Sequence, residues 1–174
     1  MIGEEIQKKL SEKFPQAIQG SADRYGQLEI QVEASAIVKV IKFLRDEKEF
    51  NFNMLIDLVG IDYLAYPNWT GNRFGVAYLL KSLTLGHRLH LKVTVSETEP
   101  DVPTLSELYA NANWLEREVF DQYGVRFTGH PNPKRLLNHH EFVGHPLRKD
   151  YPITRRQALS ANESLMDEMD VRLE

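Results

Sequence analysis

Apolar side chains recur along the first hundred residues at two different spacings. In residues 4–14 they return every fourth position, which predicts an amphipathic helix. In residues 28–32 they alternate with polar residues, which predicts a strand with one face in water. A second helix is expected after Ser35, whose hydroxyl would cap it. The core-facing residues of this helix would be Ile37, Val40, Ile41 and Leu44.

Three further strands are predicted downstream. Residues 52–60 and 74–83 are almost continuously apolar, and the second segment would be a central strand because both of its faces are apolar. The sequence PNWTGN at residues 67–72 predicts a turn between them. After a tight hairpin at residues 86–87, residues 89–95 would form a returning strand. This order of elements predicts an α+β fold, a two-layer sandwich with a mixed, mostly antiparallel sheet and helices on one face.

The character of the chain changes after residue 100. Residues 104–107 (Thr-Leu-Ser-Glu) resemble a capping box, which predicts the start of a helical stretch. The helix would break near residues 111–113, resume at Trp114 and end at Gly124, a residue suited to a C-terminal cap. We therefore expect residues 1–124 to form the globular domain.

Residues 125–174 are expected to form an extended C-terminal arm followed by a polar tail. Four of the eight prolines lie in residues 131–152, and such a segment can neither join a sheet nor form a long helix. Residues 125–157 contain seven Lys or Arg and two Asp or Glu, a net charge of +5, which leaves −9 for the rest of a chain whose total is −4. A basic arm on an acidic body suggests an electronegative partner surface.

Composition narrows the classes of function. The 174 residues are 42% hydrophobic and 26% charged, which is typical of a globular protein with a core. The absence of cysteine excludes thiol nucleophiles and sites that need thiolate ligands. No uncharged apolar run approaches the ~18 residues of a membrane span, and the charged first residues do not resemble a secretory signal. The sequence has no glycine-rich phosphate loop, and a pI of 5.9 argues against a nucleic-acid partner.

The sequence ANWLEREVFDQYGVRFTGHP at residues 112–131 concentrates charged and aromatic side chains. On a helix, Arg117 and Asp121 are four residues apart and can pair. Glu116 would lie at the apolar border of the helix, where a carboxylate is either paired with a cation or protonated. Glu116 and Glu118 would point about 160° apart, so they cannot act as a catalytic acid–base pair on one substrate. A structural use of these acids is therefore favoured.

Four of the six histidines lie in the arm, at His130, His139, His140 and His145. Together with Glu141 they could form the zinc or iron site of a metal-dependent hydrolase. Their spacing matches no metal-binding motif. In the competing interpretation, His130 and His145 hydrogen-bond to backbone groups at turns, while His139 and His140 lie on the surface.

Two blocks of sequence carry a family resemblance. The first has the pattern E-R-E-x-x-D, then a turn with glycine and phenylalanine, then H-P-x-x-x-R. Its matching residues are Glu116, Arg117, Glu118, Asp121, Gly124, Phe127, His130, Pro131 and Arg135. The second block consists of Gly144, His145, Pro146, Leu147, Arg148, Lys149, Asp150, Tyr151 and Pro152. Together they resemble the 30-kilodalton subunit family of respiratory complex I, the proton-pumping NADH:quinone oxidoreductase. The bacterial members of this family are called the C subunit. Between the blocks, His139, Glu141 and Val143 depart from the common family pattern.

The resemblance implies a non-catalytic, cofactor-free structural subunit of the hydrophilic arm of that complex. FMN, iron–sulfur clusters, NADH and quinone would be bound by other subunits. The implied partners are the quinone-pocket subunit, which is similar to hydrogenase large subunits, and the iron–sulfur subunits. The chain would be peripheral on the cytoplasmic side of the bacterial inner membrane, with only indirect membrane contact. A second interpretation is a homologous subunit of a ferredoxin-linked or membrane-bound hydrogenase-type complex.

If the chain is a subunit of this family, we expect the acids of the first block to attach the arm to the body. We expect Glu116 to pair with an arginine of the arm, such as Arg135 or Arg148. Glu118 and Asp121 would meet cations on the arm or on a partner subunit, because they face away from Glu116. Breaking a buried ion pair costs ~3–5 kcal/mol, which is enough to release an arm.

The second block is expected to be an extended interface segment. Its prolines reduce the entropy lost on docking. Arg148 and Lys149 would bind acidic groups of a partner, while Leu147 and Tyr151 would fill apolar pockets. The arm would then wrap a partner subunit rather than pack only on its own domain.

Overall fold

A computed structural model describes residues 2–157 of the chain. Its elements, in chain order, are α1 (Ile2–Lys13), β1 (Ile18–Arg24), β2 (Gln27–Val32), α2 (Ile37–Asp46), β3 (Met54–Asp62), β4 (Phe74–Lys81), β5 (Arg88–Val95), β6 (Asp101–Pro103), α3 (Ala112–Tyr123) and β7 (Arg126–Thr128). The polar tail predicted at the C-terminus begins near the last of these residues, and most of it lies outside the described part.

Five strands form one mixed sheet in the order β1-β2-β5-β4-β3. The hairpins β1–β2, β3–β4 and β4–β5 are antiparallel, while β2 and β5 pair in parallel, with Ile30 opposite Leu91. The parallel pair needs a long crossover, which α2, β3 and β4 supply. The predicted α+β class and the mixed, mostly antiparallel sheet are therefore confirmed.

The core fills the space between the sheet and the helices. The segment predicted as a central strand, β4, contributes alternate buried side chains, including Val76 and Tyr78, and these meet Ile41 and Leu44 of α2 in one cluster. The third helix, α3, approaches β3 closely because residue 60 is glycine. A Cβ atom at Gly60 would lie 2.5 Å from the ring of Tyr123. Any larger residue at this position would push α3 away from the sheet.

A small parallel sheet of β6 and β7 joins the end of the body to the beginning of the arm. Val102 pairs with Phe127, and both side chains are buried. Gly124 ends α3 in the left-handed conformation (φ 79°), and its N–H donates to the carbonyl of Phe120. This C-terminal cap was predicted. The domain boundary at residue 124 stays a prediction, although β7 beyond it is integrated with the body.

The structure contains one strand that was not predicted, and it corrects two local predictions. Strand β1 was not predicted, because six of its seven residues are exposed and its apolar pattern is weak. Ser35 does not cap α2: it lies in a short 3-10 turn, and the N-terminal cap is Ala36, which makes no side-chain cap bond. Residues 104–107 form turns rather than a helix, and α3 begins at Ala112. No helix within residues 2–157 is long and apolar enough to cross a membrane.

Candidate functional site

The carboxylate of Asp121 on α3 fastens the arm to the body. It accepts five hydrogen bonds from residues 135–138: two from side chains, of Arg135 (2.6 Å) and Asn138 (3.1 Å), and three from backbone N–H groups at 2.8 to 3.1 Å. Asp121 is fully buried. We call Asp121 with residues 135–138 the clasp.

The electrostatics of the clasp favour an ionised Asp121. Burial alone would raise the pKa of this carboxyl group, but hydrogen bonds from Asn138, Arg135 and the arm backbone lower it to about 2. Arg135 also donates to the carbonyl oxygen of Gly144 at 2.9 Å, so one guanidinium connects the helix to both blocks of the arm. The arm cation that was expected opposite Asp121 is therefore Arg135.

Arg117 reinforces the same junction in a way that was not predicted. Its guanidinium donates to the carbonyl oxygens of Lys134 and Arg135, each at 3.0 Å, and lies 5.1 Å from the ring centre of Trp114. The predicted pairing of Arg117 with Asp121 along the helix is therefore wrong. The arm passes over α3, and the two side chains bind different groups of it. Arg117 donates to carbonyl oxygens of the arm, while Asp121 accepts from its N–H groups.

Glu116 faces the body instead of the arm. Its carboxylate accepts hydrogen bonds from the hydroxyl of Thr104 (2.5 Å) and from the N–H of Leu105 (2.6 Å). The Nε2 atom of His130 lies 3.9 Å away from the Glu116 carboxylate. Burial raises the pKa of Glu116 to about 7, and these two hydrogen bonds only partly oppose it. The prediction that Glu116 pairs with an arm arginine is wrong, because Arg135 binds Asp121.

His130 and Phe127 close the turn after β7. The Nδ1 atom of His130 accepts the N–H of Asn132, so Nε2 carries the hydrogen and donates to the carbonyl of Asn113, both at 3.0 Å. His130 is buried, whereas the adjacent Pro131 is exposed. This arrangement matches the interpretation of His130 as a residue that satisfies backbone groups at a turn.

The second block of the arm lies against the end of α3. Arg148 donates to the carbonyl of Tyr123 at 2.6 Å, and its guanidinium carbon lies 4.8 Å from the ring centre of Phe74. His145 donates through Nδ1 to the carbonyl of Asp121 at 3.0 Å, and burial lowers the pKa of its ring. Gly124 makes this approach possible, since a Cβ atom there would lie 2.5 Å from Arg148 and 2.6 Å from His145.

A second junction joins the arm to the end of β3. The buried carboxylate of Asp62 accepts two hydrogen bonds from Arg73 (3.0 and 3.2 Å) and one from the N–H of Lys149 (2.9 Å). Arg73 also binds Asp150 at 2.7 Å. Burial alone would raise the pKa of Asp62, but Arg73 and the N–H groups of Lys149 and Leu64 lower it. Sequence reasoning missed Asp62 and Arg73; the only signal was an acid at the end of an apolar strand.

The rest of the second block also contacts the chain itself. Tyr151 packs beside Gly144, which has a positive φ of 99°, and stacks on Phe142 with ring centres 5.9 Å apart. Pro146 is half-buried, while Lys149 and Pro152 are exposed. Leu147 is 50% exposed and Glu118 is exposed on α3, so both are available to a partner. Arg148 uses its Nε–H within the chain, and the expectation that its guanidinium binds an acidic partner group stays a prediction.

The histidines are not gathered into one site. The rings of His139 and His140 lie 4.1 Å apart, with His140 exposed and His139 half-buried, while His130 and His145 bond to different backbone groups. Within residues 2–157, no group of three or more His, Asp or Glu side chains is placed to hold a metal ion. The geometry gives no support to the hydrolase interpretation.

Comparison with known proteins agrees with these features. A family model described as "Respiratory-chain NADH dehydrogenase, 30 Kd subunit" matches residues 30–157. The chain is 45% identical over 145 residues to the C subunit of the NADH-quinone oxidoreductase of Roseiflexus castenholzii, covering 83% of this chain and 81% of that one. It is 38% identical over 152 residues to the corresponding subunit of Acidithiobacillus ferrooxidans, covering 86% and 75%.

Two solved structures share the fold. The trypsin-resistant fragment (1-134) of Nqo5 superimposes with a TM-score of 0.66 at 34% identity, covering 76% of this chain and 99% of the fragment. A chain of a membrane-bound sulfane sulfur reductase, described as an archaeal respiratory membrane complex, superimposes with a TM-score of 0.69 at 28% identity, covering 88% of each.

Proposed function

This chain belongs to the family of the 30 Kd subunit of respiratory-chain NADH dehydrogenase, and on that premise we propose that it is a non-catalytic, cofactor-free subunit. It would serve in the hydrophilic arm of a proton-translocating NADH:quinone oxidoreductase. Its task would be to support assembly of the quinone-site and iron–sulfur subunits. FMN, the clusters, NADH and the quinone would bind to those other subunits.

The observation that supports a structural role is the different surroundings of the three acids of the first block, Glu116, Glu118 and Asp121. Asp121 binds the arm, Glu116 binds the loop before α3, and Glu118 faces outward, so the three carboxylates address three different surroundings. Acid–base catalysis needs groups that converge on one reacting atom. A hydrogen-bond network that holds the arm on the body is what we expect of a subunit whose role is to present a fixed surface to partner subunits.

The partners we propose are the quinone-pocket subunit, similar to hydrogenase large subunits, and the iron–sulfur subunits of the same arm. Exposed apolar side chains support an interface along the second half of the chain: Leu137, Val143 and Leu147 are each at least half exposed, and Ile153 is almost fully exposed. Such side chains are typical anchors for a partner surface. The protein would be peripheral, on the cytoplasmic side of the bacterial plasma membrane.

A related assembly is the second candidate. The likeness to a chain of an archaeal membrane-bound respiratory complex gives weak support to a homologous subunit in a ferredoxin-linked or hydrogenase-type complex. The identity of 45% to the Roseiflexus protein, against 28% to that archaeal chain, favours the NADH-linked complex.

Purification of the assembled complex tests the proposal. An affinity tag on this chain, followed by gentle detergent extraction of membranes, should bring down flavoprotein and iron–sulfur subunits together with NADH:quinone reductase activity. The isolated chain should show neither this activity nor a bound redox group. Recovery of a nickel–iron subunit would move the chain to the second candidate, and turnover by the isolated chain would overturn the structural role.

A further inference from the structure

A cleft of about 190 Å³ lies between the outer side of β3 and helix α3, and the arm closes one end of it. Its walls include Asp57 and Val59 from β3, Glu118 and Gln122 from α3, and Leu147 from the arm. Strand β3 is the last strand of its sheet, so this side has no neighbouring strand within the described residues. The body, helix α3 and the arm therefore all contribute side chains to this cleft.

The floor of the cleft contains an unused polar side chain. Gln122 is only 8% exposed and lines the cleft. Its backbone carbonyl accepts the N–H of Leu147, but within residues 2–157 its side-chain amide makes no hydrogen bond. The amide nitrogen and oxygen stay accessible to solvent, since neither is among the fully buried polar atoms that lack a partner. Gln122 is thus ready to bind a group that enters from outside.

The rim of the cleft is acidic and partly apolar. Glu118 is exposed and Asp57 is half-buried, and neither carboxylate forms an ion pair with any described residue; Asp57 accepts only the N–H of Leu58 through one oxygen. In contrast, the carboxylate of Asp121 nearby is bound to an arginine. Val59 (41% exposed) and Leu147 (50% exposed) supply apolar surface beside the carboxylates. Two carboxylates without a cation, one unpaired amide and an apolar wall occur together.

We propose that this cleft receives an arginine side chain from a partner subunit. The methylene groups of the arginine would lie along Val59 and Leu147, while its guanidinium would bind Glu118 and Asp57 and donate to the amide oxygen of Gln122. A guanidinium has five N–H donors in a fixed planar arrangement, and arginine is enriched at interface hot spots. The inference rests on the proposed function, because it supplies the chemistry of one contact between subunits.

Photocrosslinking in the intact complex tests the occupant. Leu147 is replaced by benzoylphenylalanine in the full chain, membranes are irradiated, and the crosslinked peptides are identified by mass spectrometry. We expect one segment of a partner subunit with an arginine beside the crosslink. A lysine in that place, or crosslinks only within this chain, would overturn the proposal. If the chain still co-purifies with the redox subunits in that case, the proposed function survives and only the cleft assignment fails.

A charge variant supplies the second measurement. The double variant Asp57→Asn, Glu118→Gln should weaken retention of the chain on the complex by about tenfold or more at low salt, and its retention should depend less on salt than that of the wild type, because the screened ion pair is gone. The matched control, Glu12→Gln with Glu107→Gln, removes two exposed acids elsewhere and should retain the wild-type behaviour. Equal retention of both double variants would contradict the proposal. The charge-reversal variant Glu118→Arg, combined with an Arg→Glu change at the crosslinked arginine of the partner, should restore retention.

Discussion

Two buried carboxylates on one helix show opposite chemistry. Glu116 and Asp121 are five residues apart on α3, and both side chains are fully buried. Asp121 faces the arm, where an arginine and three backbone N–H groups lower its pKa to about 2. Glu116 faces the body, where two hydrogen bonds do not offset burial and its pKa is raised to about 7. Glu116 also lies deeper in the protein than Asp121, so stronger desolvation and the smaller number of donors, none of them an arginine, together raise its pKa relative to that of Asp121.

The comparison separates two tasks inside one motif. The arm side of α3 is held by an ion pair that stays charged throughout the physiological pH range. The body side is held by a carboxyl group that is partly protonated near neutral pH and that binds neutral donors, Thr104 and Leu105. Attachment of the arm should therefore depend on charge, while docking of α3 on the preceding loop should depend on pH.

The largest expected effect comes from Asp121→Asn. The variant keeps the size of the side chain but removes its charge and turns one acceptor into a donor that faces Arg135 or the arm N–H groups. Breaking such a buried pair costs about 3–5 kcal/mol of folding free energy. We expect this loss in urea unfolding of the isolated chain, together with faster tryptic cleavage after Arg135.

Glu118→Gln is the control for this variant. Glu118 lies on the same helix and is exposed, so its neutralisation should change the unfolding free energy of the isolated chain by less than about 0.5 kcal/mol. Equal stability of the two variants would show that the clasp does not hold the arm.

The second effect concerns pH and Glu116. Because the pKa of Glu116 is higher in the folded chain (about 7) than its ordinary value of 4.5, the folded state binds a proton that the unfolded state has lost. Stability from this group is therefore fully present below pH 4.5 and falls as pH rises to about 7, by about 3 kcal/mol at most. Unfolding curves across this window measure the slope.

Glu116→Gln should flatten that slope. A glutamine can accept the N–H of Leu105 through its oxygen, while the hydroxyl of Thr104 turns to accept from its NH₂ group. Asp121 acts in the opposite direction and at lower pH: its stabilisation is lost as pH falls below about 4 towards 2, since its pKa is lowered. A variant that retained the wild-type slope between pH 4.5 and 7 would show that another group titrates there.

Sequence reasoning succeeded where local pattern and tertiary role coincide. The two N-terminal helices and the strands β2 to β5 have strong apolar periodicity, and each was predicted. Strand β1 was not predicted because an exposed edge strand can pair with its neighbour without buried side chains, so it has no apolar periodicity. The supposed capping box failed because the hydroxyl of Thr104, which would have capped a helix, binds Glu116 twelve residues away. A local sequence pattern cannot show which residue distant in sequence will form a hydrogen bond with a given side chain.

The same limit explains the acids of the motif. The helical rule correctly separated Glu116 from Glu118, but it could not show the path of the arm. Once the arm crosses α3 over Asp121, that residue becomes buried and accepts backbone N–H groups of the arm. Arg117 and Asp121 are then drawn to backbone groups of the arm rather than to each other. Partners from residues 134–138 could be assigned only from the three-dimensional structure.

The smallest expected effect tests how closely the second block must approach α3. Gly124→Ala adds a methyl group at a positive φ of 79°, which costs about 1 kcal/mol, and also pushes Arg148 and His145 away from the helix end. Gly86→Ala meets the same backbone cost (φ 73°) in open space, so it isolates the conformational part. We expect losses of about 2 kcal/mol for Gly124→Ala and about 1 kcal/mol for Gly86→Ala. Only the first should speed tryptic cleavage after Arg148, because that side chain leaves the carbonyl of Tyr123; equal cleavage in both variants would mean that the arm does not depend on this contact.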